Sequence, residues 1–70
     1  MKWILKVKGE DTYFSRIDKD LAFMLGNGVV TTDSLKYAKI FETKQDAIWQ
    51  GKSANKWTEW AYKWEVVKVN

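Results

Sequence analysis

The 70-residue chain has no cysteine, no histidine, no proline and only four glycines. Lacking Cys and His, it can form no disulfide and offers none of the usual zinc ligands, so an apolar core or a partner must stabilise it. Lacking proline, and with no internal repeat, low-complexity tract or linker, it shows no boundary between units. Residues 1–70 read as a single small α+β domain. No run reaches the roughly 20 apolar residues of a membrane span or resembles a secretory h-region, and the chain reads as cytoplasmic.

The missing side chains also bear on chemistry. Histidine acid–base catalysis and cysteine nucleophilic catalysis have no residues to use, and Ser15, Ser34 and Ser53 lie in no motif that would activate a hydroxyl. There is no G-x-G-x-x-G, P-loop or EF-hand signature. Asp18 and Asp20, with Asp33 farther on, are the nearest approach to a Mg²⁺ site, yet their spacing does not define the convergent oxygen set a hard cation requires. They read as a solvated turn, and the expectation is a non-enzymatic protein without metal or cofactor.

Aromatic residues are plentiful: five Trp, three Tyr and three Phe give large apolar area per side chain, which offsets the small size of the core. Charge is uneven. Residues 1–35 carry five basic and five acidic groups and residues 36–70 carry seven and four, so the formal +3 resides in the second half. Such a surplus permits long-range attraction to nucleic acid or an acidic protein without forming a dense basic footprint.

The stretch that organises the chain is Ala38–Trp57. Thr43 and Asp46 form an arrangement close to a capping box, and the acidic first turn and later Lys52 and Lys56 follow the sign order favoured by the helix dipole. Together they predict one principal helix over Lys44–Asn55. Ala47, Gly51 and Ala54 recur at spacings of four and three, a stripe of small residues with Ile48 at its edge, which allows close approach to a sheet. Gly51 costs roughly 1 kcal/mol relative to Ala inside a helix, and close packing is the reason the sequence offers for it.

The sheet is expected to be antiparallel with about four or five strands. Lys2–Lys8 alternates, with Trp3, Leu5 and Val7 on one face and Ile4 the single apolar residue on the other. Gly9–Asp11 then turns the chain into Thr12–Ile17, where Tyr13 and Ile17 share one face and Phe14 takes the opposite one. Leu21–Leu25 is read as a strand running through a Gly26-Asn27-Gly28 hairpin turn into VVTT, with a short Asp20-capped helix as the competing reading. Thr32–Ser34 begins a single helical turn that brings Leu35 and Ala38 to one side before Lys39–Glu42 extends. The final strand spans Ala61–Val69, with Trp60, Tyr62, Trp64 and Val66 on one face and a bulge possible near Val66-Val67.

Ala38 and Phe41, Thr43 at the helix start, Ala47 at the first buried helical position and the closing EVVKV together resemble small uncharacterised proteins encoded by bacteriophages and prophages. Gly51 and the Trp57–Trp64 cluster depart from the usual run of alanines and charged residues there. The resemblance implies an accessory protein of the host-cell cytoplasm, in some cases an inhibitor or modulator of a host protein, and it carries over no catalytic residue.

Trp49, Lys52 and Lys56 fall on the helix face away from the small-residue stripe, and Lys63, with Lys44, extends the set. These are the candidate partner-binding residues. An exposed Trp with a basic rim suits a protein interface, and the same pair of features suits base stacking with phosphate contact. No RNP signature or GXXG clamp accompanies them. The leading expectation is therefore protein binding, with nucleic-acid binding as the alternative and a metal-assisted enzyme a distant third. The limited core and a final strand apolar on both faces further predict a homodimer through an outer sheet face or edge.

Overall fold

Alternating apolar and lysine residues make the first strand, β1 (Lys2–Val7), and the Gly9–Asp11 turn returns the chain as β2 (Tyr13–Ile17). In the computed structural model, which describes residues 1–69, there follow α1 (Lys19–Leu25), β3 (Val29–Thr32), α2 (Lys44–Ala54) and β4 (Trp64–Val69). Single 3-10 turns occupy Leu35–Tyr37 and Asn55–Trp57. The strands form one antiparallel sheet in the order β3-β2-β1-β4. One face packs on α2, as the small-residue stripe predicts. Leu5, Phe14, Val29 and Phe41 meet Ala47 and Ala54 in the core, with Trp3, Ile17, Tyr62, Trp64 and Val66 half-buried around them.

The predicted helix is α2. Thr43 Oγ1 accepts the Asp46 N–H at 3.1 Å, and Ala47, Gly51 and Ala54 are its buried residues. A Cβ built on Gly51 would lie 3.2 Å from Trp64 Cδ1, so the glycine is set by close packing against β4.

Two strand readings are refined by irregular pairing. Phe14 pairs with Thr31 and Arg16 with Val30, so Ser15 is an extra residue in β2. This bulge turns Phe14 and Ile17, which strict alternation would separate, toward the same core. The Ser15 hydroxyl, freed from the alternation, donates to the Tyr37 carbonyl at 2.9 Å. β1 and β2 pair only at Lys6 and Tyr13. Beyond that point they splay, and Phe41 takes the vacant place beside Trp3, exchanging hydrogen bonds of 2.9 and 2.8 Å with its backbone. Lys39 N–H donates to the Phe14 carbonyl from the same segment at 3.0 Å.

Five expectations are corrected. Leu21–Leu25 is helical, the larger part of α1, because Asp18 rather than Asp20 caps it: the Asp18 carboxylate accepts N–H bonds from Asp20 and Leu21 at 3.0 and 3.1 Å. Gly26-Asn27-Gly28 is accordingly no hairpin turn. Gly26, at φ 73°, ends the helix in the left-handed conformation and returns its N–H to the Ala22 carbonyl. Leu35 is exposed while Ala38 is buried, since the 3-10 turn ends at Tyr37 and Ala38, already extended at φ −68° and ψ 141°, is not held to the side of Leu35 by helical spacing. Ile4 is buried on the face expected to be polar. Finally, β4 starts at Trp64 rather than Ala61 and pairs with β1 without a bulge from Lys2–Val69 to Val7–Trp64. The residues before it are held elsewhere: Tyr62 gives its carbonyl to Asn55 Nδ2 at 2.9 Å, and Glu59 N–H donates to Gly26.

Candidate binding surfaces

Because α2 rests on the sheet through Ala47, Gly51 and Ala54, Trp49 points the other way and is 62% exposed. It borders an open groove of about 660 Å³ between α2 and the 39–42 segment, with Ile40 and Phe41 along the apolar side. Lys39 and Lys56 contribute positive charge to this groove, and Glu42 and Asp46 contribute negative charge. The four charges balance. Lys39 Nζ also lies 5.8 Å from the Phe41 ring centroid, which directs its cation over the groove's own aromatic side.

The other candidates lie elsewhere. Lys52 is on the opposite flank of α2, at a shallow depression of about 270 Å³ shared with Tyr62, Trp64 and Val66. Lys63 borders a third depression of about 460 Å³, beside the β1–β2 turn and Trp60. Lys44 leans away from all three, with its ammonium 5.9 Å from the Trp3 ring centroid. Thus Trp49 and Lys56 share a groove while Lys52 and Lys63 do not join it. Helical spacing put Trp49, Lys52 and Lys56 on one broad outward arc, but α2 is itself the ridge that divides that arc.

The surface that the sequence reading missed is α1. None of its residues is buried, and Phe23, Met24 and Leu25 are 93%, 73% and 72% exposed. Three consecutive apolar side chains in water form an uncommon feature on so small a molecule. The adjoining 57–60 segment adds Trp57: Glu59 N–H and Gly28 N–H each bond across the junction, and Lys19 Nζ sits 5.1 Å from the Trp57 ring centroid. The available signal was Asp18 placed three residues before Leu21 with Gly26 after Leu25, a cap and stop enclosing an apolar run.

Two carboxylates near these surfaces have structural partners. The Asp18 carboxyl is held below its ordinary value, first by the Leu21 backbone N–H and then by Arg16, whose Nη1 is 3.2 Å from Asp18 Oδ2. Glu42 is likewise lowered, by the hydrogen bond and charge of Lys2 at 2.6 Å. Among the described residues no three acidic, His or Cys side chains gather where they could hold a metal ion, and no buried side-chain polar atom lacks a partner. No described helix is long and apolar enough to cross a membrane. Comparison with known proteins finds no matching family model, no matching curated sequence and no matching solved structure.

Proposed function

We propose that this chain is a non-enzymatic accessory protein that binds another protein through the apolar α1 surface. The observation that carries the reading is the exposure of Phe23, Met24 and Leu25 on a helix that places no residue in the core, with only Leu21 and Ala22 partly covered. A short capped helix that contributes no core residue is costly to expose to water unless its apolar side chains meet a partner. The complementary surface is an apolar groove on a protein, into which Phe23 projects as the anchor. Trp49 and the groove beside it provide a second apolar contact on the same molecule. Resemblance to phage-encoded accessory proteins suggests a host protein as the partner and modulation of its activity as the outcome.

The nucleic-acid alternative draws on Trp49 flanked by Lys39 and Lys56. Glu42 and Asp46 in the same groove weigh against it, because carboxylates repel the phosphates that would have to enter. Salt separates the two readings. Apolar capture persists as salt rises, whereas phosphate-dominated binding falls steeply.

The experiment is affinity capture from a bacterial lysate treated with nuclease, using the native chain beside a doubly substituted Phe23→Asp, Met24→Asp chain whose fold is checked by backbone chemical shifts. A protein retained by the native chain at high salt and lost from the variant supports the proposal. Retention unchanged by the double substitution, or capture abolished by nuclease, overturns it.

A further inference from the structure

The two edges of the sheet differ in a way that identifies one of them as a joining surface. β3 is four residues long and pairs with the bulged β2, the kind of short, irregular edge that discourages further pairing. β4 is six residues long, carries no bulge and has no strand on its outer side among the described residues. The direction of its free backbone groups follows from one bond. Lys8 N–H donates to the Lys63 carbonyl at 2.8 Å, which fixes that facing pair as hydrogen-bonded. Alternation along the antiparallel register makes Lys6–Glu65, Ile4–Val67 and Lys2–Val69 the bonded pairs in turn. The N–H and C=O groups of Trp64, Val66 and Lys68 therefore point away from β1.

We propose that this edge pairs with the β4 edge of a second copy of the chain, antiparallel and centred on Val66, to make a continuous eight-stranded sheet. In that register Val66 faces the partner's Val66, and Trp64 faces the partner's Lys68 in both directions. Each of these three facings is a bonded pair exchanging two hydrogen bonds, so every outward group of β4 finds a partner. Adjacent registers are poorer. Sliding one way brings Glu65 against the partner's Glu65, a like-charge contact, and keeps only two bonded pairs. Sliding the other way also loses one of the three pairs. A larger slide sets Lys68 against the partner's Lys68. The Val66-centred register alone satisfies the whole edge with no like charges opposed, and it places each Lys68 ammonium beside an aromatic face, where cation–π attraction favours it.

The occupant is a second copy because the pattern of Trp64, Val66 and Lys68 is complementary to itself under a two-fold axis. The depression beside α2 is lined in part by Trp64 and Val66 of this strand, and the partner's Lys68 stem would cover its rim. The α1 surface is built from other residues, so the dimer would display it twice.

Amide hydrogen exchange on the unmodified chain tests the register directly, alongside sedimentation over a wide range of protein concentration. The expected result is a doubling of sedimenting mass as concentration rises, with exchange at Trp64, Val66 and Lys68 slowing in step while Glu65, Val67 and Val69 are protected throughout. A Val66→Pro chain removes an outward N–H, which an edge strand tolerates, and its ring keeps apolar bulk where Val66 packs against the core. It should remain folded and sediment as a monomer at every concentration. Rapid exchange at Trp64, Val66 and Lys68 at all concentrations, or a native chain that stays monomeric, overturns the proposal. So does dimerisation in which those three amides remain unprotected, since the contact would then lie on another surface.

Discussion

α1 and α2 begin alike and are used in opposite ways. Asp18 accepts the Asp20 and Leu21 amides just as Thr43 accepts that of Asp46, and each cap residue has extended backbone angles before the first turn. α2 then buries Ala47, Gly51 and Ala54 against the sheet, whereas α1, richer in large apolar residues, buries none. The contrast shows that apolar content is a poor guide to burial here. The sheet already supplies the bulk through Leu5, Phe14 and Trp64, so the helix that covers it must be thin on its inner face. The apolar helix is left to the surface.

The sharpest way to break this comparison is to place the same charge on each helix. Ala47→Asp buries a carboxylate with no partner at a position that is fully enclosed. An uncompensated buried charge costs about 3–5 kcal/mol, and a core of this size supplies about as much in total. The variant is expected to be largely unfolded by circular dichroism. Phe23→Asp, on the exposed helix, should leave the unfolding free energy from denaturant titration within about 0.5 kcal/mol of the native value. Equal loss in the two variants would mean that α1 packs against the domain after all.

A smaller contrast separates the caps. Thr43→Ala removes the acceptor for Asp46 N–H and is expected to lower global stability by about 1 kcal/mol, because α2 unfolds only with the core. Asp18→Ala frees two amides but should act locally, shifting the global midpoint less than Thr43→Ala while amide exchange across α1 quickens. Denaturant unfolding and exchange on both variants decide it. A larger global loss from Asp18→Ala would make α1 part of the cooperative unit.

The same contrast explains what could be read from the sequence. α2 was legible because two independent patterns coincide there, a cap at Thr43 and a stripe at Ala47, Gly51 and Ala54. Period-two alternation grouped Trp60, Tyr62, Trp64 and Val66 on one face of the last strand but left open which face turns inward. Tyr62, Trp64 and Val66 pack on the core, whereas Trp60 lies before β4 and is exposed. α1 was misread because Leu21–Leu25 is apolar without interruption and shows no face of its own, and Gly26-Asn27-Gly28 has the composition of a hairpin turn. Its cap lay two residues before the Asp20 considered for that role. The bulge at Ser15 had no local signature, since it depends on a carbonyl at Tyr37 far along the chain. For the binding surfaces, the outward direction of Trp49 followed from helical angle alone. The separation of Lys52 and Lys63 from its groove depends on where α2 lies across the sheet, which spacing within one helix does not determine.

The smallest expected effect concerns acid, and it again divides the two helices. Asp18 and Glu42 both ionise below their ordinary values of 3.8 and 4.5, so each stabilises the fold above its ordinary pKa. That contribution fades as pH falls through the lowered folded value, where the native carboxylate at last takes up its proton. The causes differ. Asp18 is lowered first by a backbone N–H within its own helix start, whereas Glu42 is lowered by the Lys2 ammonium through both a hydrogen bond and charge. Glu42 is exposed and Asp18 half-buried, and screening weakens an exposed ion pair more than a short backbone hydrogen bond. Carboxyl titration by NMR should therefore find both midpoints below the ordinary values, with added salt moving Glu42 back toward 4.5 more than it moves Asp18 toward 3.8. Exchange at the Leu21 amide should quicken over the Asp18 titration once corrected for the intrinsic pH dependence of exchange, while α2 amides stay protected. An Asp18 that titrates at its ordinary value would show that the α1 cap is not formed in solution, and the exposed helix would lose the one local interaction that sets where it begins.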